Sequence, residues 1–232
     1  MAKLFVENKA IVTPGELIAE GMEYIPAGKT FREKEKIYSS VVGILYIKGR
    51  VLKVVPLSGK YMPKKGDVII GRIINIGFAG WQLDINSPYL ADLNIGEAVS
   101  EYVDLAKTDL SKFFDIGDWV LAEVISISEG KFVKLTAKHK PYRKLVGGNI
   151  IYVSPTKVPR IIGRQGSMIK ILKDLTQCDI LVGQNGVIWI RGAPERMLLV
   201  ERAIRKIERE AHISGLTERI NQFLRKELEV KK

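Results

Sequence analysis

Along the first 60 residues the apolar positions come in short runs broken by turn formers, with no helical period. Thr13-Pro14-Gly15 and Pro26-Ala27-Gly28 read as turns, and Val41–Leu45 and Val51–Val55 as strands. The pattern predicts a small β domain over residues 1–60, with Tyr61-Met62-Pro63-Lys64-Lys65-Gly66 as a linker. Residues 63–138 continue in β style, with strands expected at Asp67–Ile76, Gly80–Ile85, Ala91–Ile95, Asp118–Ser128 and Lys131–Ala137. Ser128-Glu129-Gly130-Lys131 is a hairpin turn, and Gly96–Gly117 is a longer polar connection. Five short strands with a long insertion after the third predict an OB-type barrel.

After Lys138-His139-Lys140-Pro141-Tyr142-Arg143 the period lengthens. Residues 145–232 predict a strand at Ile150–Val153, a short helix at Val158–Ile162, and a helix capped by Ser167 with Ile169, Leu172 and Leu175 on one side. Strands follow at Asp179–Val182 and Val187–Ile190. Pro194 opens a long helix whose apolar stripe is Met197, Val200, Ile204, Ile207 and Ala211, with Arg196, Arg202, Arg205, Lys206 and Arg209 on its other face. A last amphipathic helix uses Leu216, Ile220, Phe223, Leu224 and Leu228. The expected fold class is therefore mixed β and α+β: a small β domain, a barrel, and a β-α-α-β-β-α module with an extra helix.

Charge changes this picture in one place. The net charge of +11 is uneven: residues 1–60 hold 10 basic and 6 acidic side chains, residues 61–138 hold 8 and 11, and residues 139–232 hold 19 and 9. A basic last third attracts a polyanion through counterion release. It is also what a solvated surface of Lys and Arg paired with Glu looks like. One cysteine, Cys178, and two histidines leave no material for a disulfide or a structural metal, so no metal and no cofactor are expected. No apolar run reaches membrane-spanning length, and Met1–Ala10 carries Lys3, Glu7 and Lys9 where a leader would be apolar. A soluble cytoplasmic protein is expected.

Gly-x-x-Gly occurs three times, at Gly77–Gly80, Gly163–Gly166 and Gly183–Gly186. With 21 glycines, chance alone supplies about two such spacings, so context must decide. Only Gly163–Gly166 lies between two predicted helices. Without Cβ atoms there, a sugar–phosphate backbone can approach closely, and the unpaired N–H groups of the following helix face it. Lys157, Arg160 and Arg164 add cations, Gln165 lies within the loop, and Ile169 stands beside it. The run Val158 to Ile169 resembles the motif of a KH domain, over roughly residues 148–211; such a loop clamps the backbone of about four nucleotides.

The middle segment resembles an S1-type RNA-binding domain. Gly66-Asp67-Val68 opens it, and Gly77-Phe78-Ala79-Gly80-Trp81-Gln82-Leu83 matches the second-strand motif with its two aromatics. Leu93-Asn94-Ile95-Gly96-Glu97 and Phe114-Asp115-Ile116-Gly117-Asp118 match later positions. The resemblance implies that Phe78 and Trp81 stack bases, with Asn94, Lys134 and Arg72 nearby as polar or basic contacts. Asn94 stands where relatives commonly carry His. The alternatives are a barrel core or a protein contact for Phe78 and Trp81, and a salt bridge for Arg72.

A small β domain opening Val12-Thr13-Pro14-Gly15-Glu16, then an S1-type and a KH-type unit, makes the whole chain resemble the S1/KH cap subunits of the archaeal exosome. That resemblance implies a protein without catalysis of its own. It would capture 3′ ends of single-stranded RNA and pass them to a hexameric RNase-PH-type ring, three copies per ring, docked through residues 1–60. The rival reading is a free-standing S1/KH factor of transcription or translation. Gly28-Lys29-Thr30 lacks the upstream glycine of a phosphate-binding loop, since position 23 is Glu. Asp104, Asp109, Asp115 and Asp118 lie in a polar connection without the spacing of a nuclease cluster.

Overall fold

A computed structural model describes residues 3–99, 108–211, 213 and 215–229. The chain divides into two compact units, Met1–Gly59 and Lys60–Lys232. The first holds eight short strands: β1 (Lys3–Leu4), β2 (Ile11–Val12), β3 (Leu17–Glu20), β4 (Ile25–Gly28), β5 (Thr30–Glu33), β6 (Lys36–Ser39), β7 (Gly43–Lys48) and β8 (Val51–Pro56). They form two sheets of order β1-β3-β6-β5 and β2-β7-β8-β4. Val12, Ile18, Ala19, Ile37, Leu45, Leu52 and Val54 fill the core of this unit. The Thr-Pro-Gly-Glu opening has a local cause: the Glu16 carboxylate accepts from the Thr13 N–H (2.7 Å) and hydroxyl (3.0 Å), which closes the turn. Sequence patterning finds only the last two of these strands. The others are two to four residues long, too short to display alternation.

In the second unit β9 (Val68–Ile76), β10 (Gly80–Asp84), β11 (Leu90–Asn94), β12 (Trp119–Ile127) and β13 (Val133–Thr136) close into a five-stranded barrel. The short helix α1 (Ile95–Ala98) follows β11, and β14 (Arg143–Leu145) adds to the β12 edge. Alternate residues point inward, among them Ile69, Ile73, Trp81, Leu83, Val120, Ala122, Val133 and Leu135. Then come β15 (Asn149–Tyr152), α2 (Val158–Ile162), α3 (Ser167–Thr176), β16 (Asp179–Val182), β17 (Val187–Arg191), α4 (Pro194–Glu210) and α5 (Leu216–Glu229). The sheet order is β15-β17-β16, with the helices on one face.

The other face of that sheet is not free. Val187 and Trp189 pack with Ile70, Leu121 and Leu145 of the barrel segment, while Ile188 and Ile190 face the helices. This explains why four successive residues of β17 are all buried, where a half-exposed strand would alternate. The turn between β16 and β17 seals the junction. Asn185, fully buried, donates to the carbonyls of Ile70 (2.8 Å) and Ile85 (2.9 Å) and accepts from the Ile70 N–H (3.3 Å). The Gln184 N–H donates to the Val68 carbonyl at 2.8 Å, and the Asn86 amide donates to the Asn185 carbonyl at 2.8 Å. Barrel and α+β module are thus one body with a shared secondary core. Among the described residues, no helix is long and apolar enough to cross a membrane.

Candidate nucleic-acid interface

The loop between α2 and α3 is a two-glycine crossover. Pro159 in the first turn of α2 removes an N–H that has no helical partner, and Gly163 ends the helix with φ +77°. Gln165 (φ 51°) and Gly166 (φ 77°) are left-handed, and α3 then starts. The helix cap is therefore Gly166 and not Ser167, which occupies the first helical position and makes no capping bond. The two glycines differ. A Cβ on Gly163 would press to 2.7 Å from the Met168 backbone nitrogen, whereas one on Gly166 would meet only Ile169, at 3.7 Å. Gly163 is required by close packing of the loop on α3, and Gly166 borders open space. Met168 and Leu172 are the buried anchors of α3, with Ile169 and Leu175 packed at the edge of the core.

Lys157, Arg160 and Arg164 surround this loop, with Lys157 half-buried and both arginines exposed. Lys170 and Lys173, one turn apart on the exposed face of α3, extend the group and escaped the sequence reading. Their i, i+3 spacing after the loop was the available signal. Among the described residues none of these five cations makes an ion pair or a side-chain hydrogen bond. The contrast with α4 and α5 is sharp. Arg202 holds Glu227 with both nitrogens (2.8 and 2.9 Å), Lys206 bonds Glu210 (2.6 Å), Arg219 reaches Glu210 (3.0 Å), and Arg205 lies between Glu208 and Glu201. The hydrogen bond from Lys206 holds the Glu210 carboxyl below its ordinary range, with Arg219 and Arg209 helping. The positive charge of the last third is therefore of two kinds, paired with carboxylates at Arg202, Arg205, Lys206 and Arg219 and open around the loop.

On the barrel, the two predicted aromatics part company. Phe78 sits at the tip of the β9–β10 turn and is 82% exposed. Trp81 is 2% exposed, donates its indole N–H to the Phe114 carbonyl (2.8 Å), and meets the Phe113 and Phe114 rings edge-on. Its expected role as a base-stacking surface is corrected: strand parity puts it inward with Leu83, where it pins the returning connection to the barrel. Asn94 is exposed, and its side-chain oxygen accepts from the Gly96 N–H (3.1 Å) as the cap of α1, leaving its amide to donate outward. Lys134 is exposed opposite Asp92 in the β11–β13 register. An open hollow of about 290 Å³ lies beside them, lined by Asn75, Gln82, Asp92 and Asn94 among others. Sequence reading gives Asn75 and Asp92 no role and names Gln82 only within the second-strand motif; all three are outward positions of predicted strands.

Arg72 lies apart from that hollow, cross-strand from Asp84 on one side and Trp119 on the other. It is exposed and forms no salt bridge among the described residues. Of the acidic positions in the connection, Asp104 falls outside the described residues. Asp109 caps Ser111, and Asp118 accepts from the Asp115 N–H and pairs with Lys144. The Ser111 bonds hold the Asp109 carboxyl below its ordinary range. Each carboxylate thus closes its own turn.

Comparison with known proteins agrees with this architecture. Residues 9–58 match a family described as the exosome RNA binding protein RRP4 N-terminal domain, residues 60–126 the RRP4 S1 domain, and residues 148–196 a KH domain. The exosome complex component Rrp4 of Methanothermus fervidus is 50% identical over 97% of this chain and its own full length. That of Pyrococcus horikoshii is 47% identical over 97% of this chain and 85% of its own. A crystal structure of an exosome complex RNA-binding protein superposes with a TM-score of 0.68 at 35% identity, covering 75% of this chain and all of that one. Identity at this level along nearly the whole of both chains settles the relationship, and the chain belongs to the family of exosome complex component Rrp4.

Proposed function

We propose that this chain is the non-catalytic RNA-binding cap subunit of an archaeal exosome, working in the cytoplasm. It captures 3′ ends of single-stranded RNA and directs them into a phosphorolytic RNase-PH-type ring that carries three copies of it. The observation that supports this most is the open Gly163–Gly166 loop with five uncommitted cations around it, in a chain of the Rrp4 family. Gly166 borders open space that admits a phosphate, and Arg164, Arg160 and Lys157 supply charge. On the barrel, Phe78 offers a stacking face, and Asn94 and Lys134 offer polar contacts. The first unit supplies a surface for the ring. On the outward side of its second sheet Ile11, Ile44 and Val55 lie in register, and further along it Tyr46 pairs with Lys53, and Val51 lies between Lys48 and Ile25. Ile11 is 64% exposed and Ile25 54%, so this face mixes exposed apolar side chains with Lys48 and Lys53, a composition suited to a protein contact.

The test is reconstitution of the chain with an archaeal RNase-PH-type ring, sized by gel filtration and assayed on 3′-labelled RNA with and without phosphate. Co-elution and faster phosphate-dependent shortening are expected. Separate elution, with RNA bound but degradation by the ring unchanged, would favour the free-standing factor.

A further inference from the structure

The fused barrel and α+β module meet along a seam, and the solvent end of that seam is aromatic. Trp119 on β12 and Tyr152 on β15 approach edge to face, ring centroids 6.4 Å apart. Tyr152 remains 50% exposed, too open for a ring whose purpose is to seal a core. Arg72 stands beside Trp119 in the β9–β12 register, exposed and without an ion pair among the described residues. Burial raises the Tyr152 phenol above its ordinary value, the Asp84 carboxylate adds to this and the Arg72 guanidinium opposes it, so both charged groups lie close to the ring. On the module side, Arg205 fixes the strand by donating to the Tyr152 carbonyl at 2.7 Å. The backbone then runs directly from Tyr152 through Lys157 to the Gly163–Gly166 loop.

We propose that this seam is a nucleobase-stacking site, with a base on the open face of Tyr152 beside Trp119 and its phosphate on Arg72. A single RNA strand then engages the loop and the barrel in one continuous path. The proposal rests on the RNA-binding reading given above and adds a binding site to it. A π face next to a free guanidinium is the combination that holds a nucleotide without reading its sequence. Two rigidly joined modules would otherwise present two separated sites across a bare junction, and Asn185 removes any hinge that could bring them together.

The full chain carries a built-in reporter. Of its three tryptophans, Trp81 and Trp189 are each 2% exposed, so solvent quenching of indole emission reads Trp119. Saturating single-stranded RNA of about a dozen nucleotides should change that emission and protect it from acrylamide. A tetranucleotide, long enough for the loop alone, should do neither. Tyr152→Leu keeps apolar packing against Trp119 but removes the π face. It should weaken binding of the longer RNA about fivefold or more, leave the tetranucleotide unaffected, and melt like the parent, while Tyr152→Phe binds normally. If the longer RNA binds Tyr152→Leu as tightly as the parent, or binds the parent without touching Trp119 emission, the seam is packing only and the RNA-binding reading stands. If the parent binds no RNA at low salt, both fall together.

Discussion

Gly163–Gly166 and Gly183–Gly186 have the same spacing in the same module, yet they face opposite kinds of partner. In the first, Gly166 borders open space and the five neighbouring cations make no ion pair among the described residues. In the second, the turn is driven into the barrel, Asn185 is fully buried, and a Cβ on Gly186 would collide with the Val153 carbonyl. Glycine supplies the same tight reversal in both places. What the reversal is for depends on what surrounds it, a free surface in one case and a row of barrel carbonyls in the other. A motif of two glycines is therefore a statement about backbone shape, and its function has to be read from its neighbours.

The strongest way to break this comparison is to damage the buried copy. Asn185→Ala strands up to three buried main-chain groups, the Ile70 N–H and carbonyl and the Ile85 carbonyl. Each costs about 1–3 kcal/mol when left without a partner, so a total loss of roughly 3–9 kcal/mol is expected in urea unfolding. The barrel and the α+β module should also begin to unfold separately. RNA affinity of the folded fraction should stay within about twofold of the parent, because the turn does not touch the proposed path. A strong loss of affinity at full stability would mean that Gly183–Gly186 also binds RNA, and the contrast would fail.

The two barrel aromatics sharpen the same lesson. Trp81→Ala removes a core ring and a buried hydrogen bond, and should cost about 3–5 kcal/mol of stability with little change in RNA affinity. Phe78→Ala should leave the melting temperature in place and weaken RNA binding by about 1–3 kcal/mol if a base stacks on it. Equal melting of both variants would return Trp81 to the surface and overturn its assignment to the core.

Much of this is legible in the sequence alone. The barrel strands, the long connection and the order of the last module follow from period and turn chemistry, because long elements such as β9, β12, α3 and α4 show their pattern and the turn formers between them mark off the short ones. Trp81 alternates with Gln82 and shares its parity with Leu83 and Ile85, so its inward direction was readable and was outweighed by the family motif. Asn185 was not readable: an amide in a glycine-rich turn looks solvated, and only docking against the barrel makes it a buried ligand of carbonyls. The unbroken apolar run of β17 was the one hint that both faces of the sheet are covered. The split between paired and open cations is likewise invisible in a sum of charges, because it depends on α5 lying across α4 to supply Glu227.

The exposed loop can be tested without disturbing the fold. Gly166→Asp occupies open space in a left-handed conformation that Asp adopts more readily than most residues, so stability should fall by only about 1 kcal/mol. Its carboxylate stands where a phosphate is to sit, and RNA affinity should fall about tenfold or more. Gly163→Asp is the wrong variant for this purpose, since its Cβ would press on the Met168 backbone and confuse unfolding with lost binding.

The smallest effect separates the two kinds of positive charge. Each phosphate neutralised on a single strand contributes roughly 0.7 to the slope of log affinity against log salt. Arg164→Gln removes an uncommitted cation and should lower the slope by about that amount. Arg202→Gln also removes a positive charge, but that charge is already spent on Glu227 through two hydrogen bonds. It should leave the slope unchanged and cost no more than about 1 kcal/mol, as exposed ion pairs do. Equal slopes for the two variants would mean that RNA responds to the net charge of the whole module. The distinction between open and paired cations would then have no bearing on where the strand lies.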